Sequence, residues 1–155
     1  MFFKKKNIYA VANGTVVDIT TVNDPVFSSK ALGDGVAVIP ADGKVSAPME
    51  GEITMLFPTN HAFSVINKDG IEVLVHIGID TVQLEGKGFK AVAQVGDKVK
   101  PGTPVIEVDL DVLKAENIDT TILMIVSDVN GKEIKTLATT AGQKAVSGKT
   151  EVISY

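Results

Sequence analysis

Short aliphatic runs that break off at Gly, Pro, Asn or Asp restrict the fold of this chain more tightly than anything else in it. They recur as Gly14–Ile19, Gly35–Pro40, Gly51–Phe57, Phe63–Asn67, Ile71–Ile77, Val105–Val108, Thr121–Ser127 and Lys132–Leu137. Many alternate apolar with polar residues and favour Val, Ile and Thr, which fits pleated strands. Sustained 3.6-residue periodicity is missing, so long amphipathic helices are not expected. The pattern predicts an all-β fold: an antiparallel sandwich or barrel-like domain with Greek-key connections and one or two short helices. One helix is expected over Leu110–Asn117, with Asp109 as N-cap and Leu110 and Leu113 facing the core. The Gly96-Asp97 and Pro101-Gly102 turns should bracket a strand at Val99, and Asn130-Gly131 reads as a type I′ hairpin turn. At 155 residues the chain is expected to form one domain, 1–155, with residues 1–8 as a short leader.

Composition narrows the chemistry. All fifteen cationic residues are Lys, set against nineteen acidic ones for a net charge of -4. An acidic, Arg-free surface lacks both the planar fork and the positive field that grip nucleic acid. Cys is absent, which excludes disulfides, iron–sulfur clusters, Cys-ligated zinc and a Cys nucleophile. Met1-Phe2-Phe3-Lys4-Lys5-Lys6 has positive charge but no apolar run behind it, so it does not read as a secretion signal. With no run long enough to span a bilayer, a cytoplasmic location without membrane insertion is expected.

Two His remain, His61 and His76, and both flank one expected hairpin turning at Asn67-Lys68-Asp69-Gly70. A two-residue loop at Lys68-Asp69, or a four-residue loop at Asn67–Gly70, would set them directly opposite each other. A three-residue loop would leave them diagonal, and an Asp69-Gly70 turn would pair Phe63 with His76. Val73, Val75 and Ile77 form the natural core face, so Leu74 and His76 point to the other side. Phe57 and Phe63 would add to an apolar dish around the two rings. A neutral imidazole can take a phosphoryl group on one nitrogen while a carbonyl holds the proton on the other. A second imidazole and a hydroxyl such as that of Thr59 can steady the phosphoryl oxygens. The plain alternative is a pair of packed, unreactive His. Zinc is another, because His61 and His76 could bind it adventitiously or share it with a partner, although two ligands fall short of the usual four.

The motifs Thr59-Asn60-His61-Ala62-Phe63-Ser64, Val75-His76-Ile77-Gly78-Ile79-Asp80-Thr81-Val82 and Leu84-Glu85-Gly86-Lys87-Gly88-Phe89 carry a resemblance. They are similar to the glucose-family IIA protein of the bacterial phosphoenolpyruvate:sugar phosphotransferase system. The likeness extends from Pro25-Val26-Phe27 to Val105-Ile106-Glu107 and implies an antiparallel β-sandwich. It implies a phosphotransferase with a phosphohistidine intermediate, needing neither metal nor organic cofactor. The phosphocarrier HPr would be donor and the IIB domain of a glucose-type sugar permease acceptor, with regulatory targets as further partners. His76 would be the phosphoacceptor, His61 the second imidazole, Thr59 the holder of its hydrogen-bond network and Gly78 the tautomer-fixing carbonyl. The resemblance also implies a docking dish of Val26, Phe27, Ala31, Leu32, Phe57, Leu74 and Val82, with Asp24 and Asp80 as its acidic rim.

The rival from another class is a lipoyl- or biotinyl-carrier-like module, whose barrel turns Val45–Glu52 and Val95–Gly102 resemble. Its signature Lys at a hairpin tip is missing. A metallohydrolase lacks its motif, since neither His-Glu-x-x-His nor His-x-His occurs.

Overall fold

The computed structural model describes residues 6–137 and 142–155, so Met1 to Lys5 of the expected leader lie outside the described residues. The described part of that segment is tied down. Lys6 exchanges backbone hydrogen bonds with Tyr155, and the first strand follows at once.

The strands are β1 (Asn7–Tyr9), β2 (Gly14–Asp18), β3 (Gly35–Pro40), β4 (Lys44–Ser46), β5 (Gly51–Leu56), β6 (Ala62–Ile66) and β7 (Glu72–Ile77). Then come β8 (Phe89–Ala91), β9 (Lys98–Val99), β10 (Pro104–Val108), β11 (Ile122–Asp128), β12 (Lys135–Thr136), β13 (Lys144–Ala145) and β14 (Glu151–Ser154). Two short helices, α1 (Pro25–Ser28) and α2 (Leu110–Ala115), accompany them. An eight-stranded sheet runs β13-β2-β3-β11-β7-β6-β5-β9, and two three-stranded sheets run β1-β14-β12 and β4-β10-β8. Every pairing among the described residues is antiparallel. β5, β6 and β7 form a meander, and β11 fills the place between β7 and β3.

The large sheet is covered on both faces. On one, Phe63, Val65, Val73, Val75, Ile77, Ile122 and Met124 pack into the main core with Ile8, Ile106 and Ile153 of the small sheets. On the other, Ala37, Leu123 and Ile125 pack under Ile19, Val22, Phe27 and Ile79. Burial from both sides explains why β11 reads Ile-Leu-Met-Ile-Val without alternation. β7, towards the end of the covered area, keeps the alternation: Val73, Val75 and Ile77 are buried, Leu74 and His76 half-buried.

Expected elements recur with local differences. α2 starts as predicted, with the Asp109 carboxylate accepting from the Asp111 and Val112 amides, and Leu113 is buried. α1 was not anticipated, although its signal is in the sequence: Asp24 caps it and Pro25 opens it. At Asn130-Gly131 both φ angles are positive and the Lys132 N–H donates to the Val129 carbonyl, the local geometry of a type I′ turn. No hairpin results, because β12 pairs with β14 and not with β11. Ile134, partly buried against the main core, goes with the strand to its new partner.

Candidate functional site

The site is built on the β6–β7 hairpin. Its three-residue loop, Lys68-Asp69-Gly70, is closed by the Asn67 N–H donating to the Ile71 carbonyl, with Gly70 at φ 80°. The Asn67 side-chain carbonyl accepts from the Asp69 and Ile71 amides and fixes that odd length. The register that follows pairs Ala62 with His76 and Val65 with Val73. Direct opposition of the two His, which a loop at Lys68-Asp69 or Asn67–Gly70 would have given, is therefore not found.

The rings meet all the same, for a reason outside the strand register. His61 precedes β6, and Asn60 before it is left-handed at φ 59°. The Asn60 N–H donates to the Phe57 carbonyl and the Phe57 N–H to the Ala62 carbonyl, so the chain is still turning at His61. The imidazole centroids lie 5.0 Å apart with the planes at 78°, one ring edge-on to the other. Ala62, beside His76 on the partner strand, has too small a side chain to fill the space between them.

Each ring is held at Nδ1 by a neutral group. His76 Nδ1–H donates to the Gly78 carbonyl at 2.9 Å, which leaves the Nε2 lone pair free. His61 Nδ1 meets the Thr59 hydroxyl. Phe27 lies against His76 at 5.0 Å and Phe57 stands edge-on to His61 at 5.1 Å. Burial pushes both imidazoles toward the neutral form. The His61 pKa falls to about 4, through burial first and the neighbouring His76 second. His76 is also lowered by burial, against which its bond to Gly78 and the carboxylates of Asp24 and Asp80 pull upward. Both shifts favour the uncharged ring.

The sequence-derived dish divides into parts. Val26, Leu32 and Val82 are 49%, 46% and 55% exposed, unusual for aliphatic side chains and consistent with an open apolar rim. Ala31 is also exposed. Leu74 and Phe57 are half-buried. Phe27 is buried in the second cluster and forms the floor under His76. Asp24 is engaged at its inner oxygen by the Val26 amide, and Asp80, left-handed at φ 58°, is exposed. Phe63 does not join: it faces the main core and is fully buried, because its strand position alternates with that of Ala62. Two residues not singled out from the sequence belong here, Ala62 and Thr81. The first becomes visible only once the loop length is known, the second only once the turn after β7 is built.

At the opposite end of the hairpin a cleft of about 790 Å³ opens between β1 and β9, lined by Lys6, Glu52, Asn67, Asp69, Lys98 and Tyr155 among others. Its charges are largely spent on each other, with Lys6–Asp69 at 2.8 Å and Lys98–Glu52 at 2.6 Å.

Residues 6–132 match the family model described as phosphoenolpyruvate-dependent sugar phosphotransferase system, EIIA 1. The chain belongs to this family. The glucose-specific EIIA component of Haemophilus influenzae is 44% identical over 147 residues, covering 95% of this chain and 87% of that protein. The glucose-specific EIICBA component of Staphylococcus carnosus is 47% identical over 131 residues, 84% of this chain. The chain spans only 19% of that longer EIICBA component. Glucose permease IIA from Mycoplasma capricolum superposes with a TM-score of 0.86 at 32% identity, covering 99% of both chains. This EIIA fold is the sandwich expected from the strand rhythm.

Proposed function

We propose that this chain is a phosphoryl carrier that takes a phosphoryl group from phospho-HPr onto Nε2 of His76. It would pass that group to the IIB domain of a glucose-type sugar permease. The observation that carries the reading is the hydrogen bond from His76 Nδ1 to the Gly78 carbonyl, which supports Nδ1 as the nitrogen that keeps its proton and Nε2 as the nucleophile. Attack by that lone pair forms the new N–P bond as the bond to the donor breaks, with no proton left over to dispose of at the acceptor nitrogen.

Charge neutrality suits a carrier that must both receive and release. A protonated imidazole could not attack, and burial lowers the His76 pKa, which favours the unprotonated form. His61 stays neutral as well, so it can offer an N–H to a phosphoryl oxygen without the full positive charge that would trap the group. That role follows when the Thr59 hydroxyl donates to Nδ1 and leaves the proton on Nε2. The exposed rim of Val26, Leu32 and Val82 gives a partner an apolar surface with which to exclude water, and Asp24 and Asp80 would meet basic groups of the donor.

The setting is proposed as cytoplasmic, and no helix among the described residues is long and apolar enough to cross a membrane. We read 1–155 as one phosphotransfer domain, an assignment supported by the coverage of the Haemophilus relative. Zinc, the other reading, would need donors from beyond this pair, because no group of three or more His, Asp or Glu among the described residues could hold a metal ion.

The test incubates the protein with phosphoenolpyruvate, enzyme I and HPr, then follows intact mass and acid lability. Wild type is expected to gain one acid-labile phosphoryl group and His76→Ala none. An unmodified wild type, or a labelled His76→Ala, would overturn the assignment. His61→Gln is expected to accept the group and to pass it on poorly. Undiminished onward transfer would remove the role given to His61.

A further inference from the structure

The cleft at the loop end of the β6–β7 hairpin stands apart from the two imidazoles. Its volume of about 790 Å³ lies within the usual range of small-molecule sites. Both tyrosines of the chain, Tyr9 and Tyr155, line it, together with Met49, Ile66 and Val99. Met49 and Val99 are buried, whereas Lys68 and Lys100 on the same lining are exposed. The cleft is therefore apolar and aromatic inside and charged at its mouth.

The inner polar groups already satisfy one another. Asn67 Nδ2 donates to the Tyr155 hydroxyl at 2.7 Å and to Met49 Sδ at 3.5 Å, and that hydroxyl donates to Asp69 at 2.8 Å. The Asn67 side-chain carbonyl is taken by the Asp69 and Ile71 amides. A charged group brought in among them would lose its water and gain no free partner. An occupant must therefore place a ring or other apolar body inside and keep its charge at the mouth.

The mouth favours an anion. Lys6, Lys68, Lys98 and Lys100 face Glu50, Glu52 and Asp69 around the lining, which is net positive in a chain of net charge -4. Lys6 is paired with Asp69 and Lys98 with Glu52. Among the described residues, Lys68 and Lys100 have no carboxylate within ion-pair distance, and Glu50 has no cation. Lys68 follows β6 and Lys100 follows β9, the two strands that flank β5, and Glu50 leads into β5 between them. Strands two places apart lie about 10 Å from each other, a gap that two extended Lys side chains can close on one ligand. A phosphomonoester carries roughly -1.5 to -2 charges and three acceptor oxygens, enough to engage both ammonium groups in spite of Glu50. A carboxylate, with its single charge, is not.

We propose that this cleft binds a small phosphomonoester with a ring body, the ring against Tyr9 and Tyr155 and the phosphate held at the mouth by Lys68 and Lys100. Sugar phosphates and nucleoside monophosphates share that chemistry. The site is separate from the His61–His76 pair, and its occupancy does not depend on the phosphoacceptor reading of His76.

The experiment titrates the full ¹⁵N-labelled chain with glucose-6-phosphate, adenosine monophosphate and inorganic phosphate and follows the amide shifts. At least one of the two esters should give saturable shifts at Asn7, Gly51, Lys68 and Lys100 while Gly78 and Ile79 stay still, and the ester that binds identifies the ring. Lys68→Gln and Lys100→Gln should each weaken binding about tenfold, the loss of one charge-assisted contact to phosphate. Lys114→Gln, on α2, should leave it unchanged. Glu50→Gln should tighten it, an effect that a damaged fold cannot imitate. The proposal is overturned if neither ester gives saturable shifts, or if the shifts centre on His61 and His76. Binding indifferent to Lys68→Gln and Lys100→Gln would also overturn it. So would inorganic phosphate binding as tightly as the esters, which would mean an adventitious ion only.

Discussion

The two ends of the β6–β7 hairpin solve opposite problems with almost the same building parts. At the loop end, Asp69 accepts from Lys6 Nζ and from the Tyr155 hydroxyl, both at 2.8 Å, and Asn67 donates to that hydroxyl at 2.7 Å. Opposite charges are matched and the chain near Lys6 is fastened to the loop. At the far end, two rings of the same kind are held by a hydroxyl and a carbonyl, with no ion pair to either ring among the described residues. Matched charges give up their freedom to titrate within the working range. Neutral partners fix a ring in space and leave its nitrogen available. The lesson is that fastening and reactivity call for different holders, even within one hairpin.

The comparison breaks most severely at Gly78. Gly78→Ala adds a methyl group at a left-handed position facing Thr81 and Asp119, and strain plus overpacking should cost up to roughly 4 kcal/mol. Thermal denaturation gives the number, and an unchanged midpoint would show that the turn yields more easily than described. Next comes acid sensitivity. Because the folded His61 pKa is about 4 against an ordinary 6.5, the unfolded chain binds the extra proton first. Stability is then full above pH 6.5 and is lost as pH falls toward 4, by about 3 kcal/mol. His61→Gln should flatten that slope in urea titrations taken across the window, and an unaltered slope would show that His61 is solvated.

The loop end should respond in other pH ranges. Burial, together with Asp69, pushes the Tyr155 phenol up to about 12, so stability present below pH 10 is lost between 10 and 12. Tyr155→Phe should remove that alkaline loss and leave the acid slope of the histidine end as it was. Asp69→Asn should cost about 1 kcal/mol at neutral pH without changing phosphoryl acceptance, since it weakens hydrogen bonds to Lys6 and Tyr155 only. The smallest effect is expected from Lys98→Ala, whose exposed pair with Glu52 contributes about 0.3 kcal/mol. A loss above 1 kcal/mol would mean that the cleft end depends on surface charge more than exposed pairs ordinarily do.

Most of the architecture could be read ahead of the structure because strands leave local traces. Gly35–Pro40 was delimited to the residue, and the faces of β7 followed from alternation alone. The motifs that carry the family likeness picked out both imidazoles and their neutral holders. Less legible were features decided by a single residue of length or by distant packing. The parity of the loop at Lys68-Asp69-Gly70 sets the register, and the sequence allows either parity. Phe63 belongs to the core and Phe57 to the site, a distinction fixed by the face Phe63 takes in β6 and by the place of Phe57 in the turn before it, not by composition. The missing hairpin at Asn130-Gly131 has the right turn chemistry, but the strand after it finds its partner in β14, far along the chain.

Both imidazoles come from one hairpin, whereas the amide supports of the Gly78 turn come from Asp119 and Thr121, just ahead of β11. Contacts between residues close in sequence form with little loop-closure entropy, and those that need a distant strand form late. As the chain folds, the two rings should therefore meet well before the proton on His76 is assigned to its final nitrogen. Docking of β11 is the event that turns a pair of adjacent histidines into an ordered acceptor.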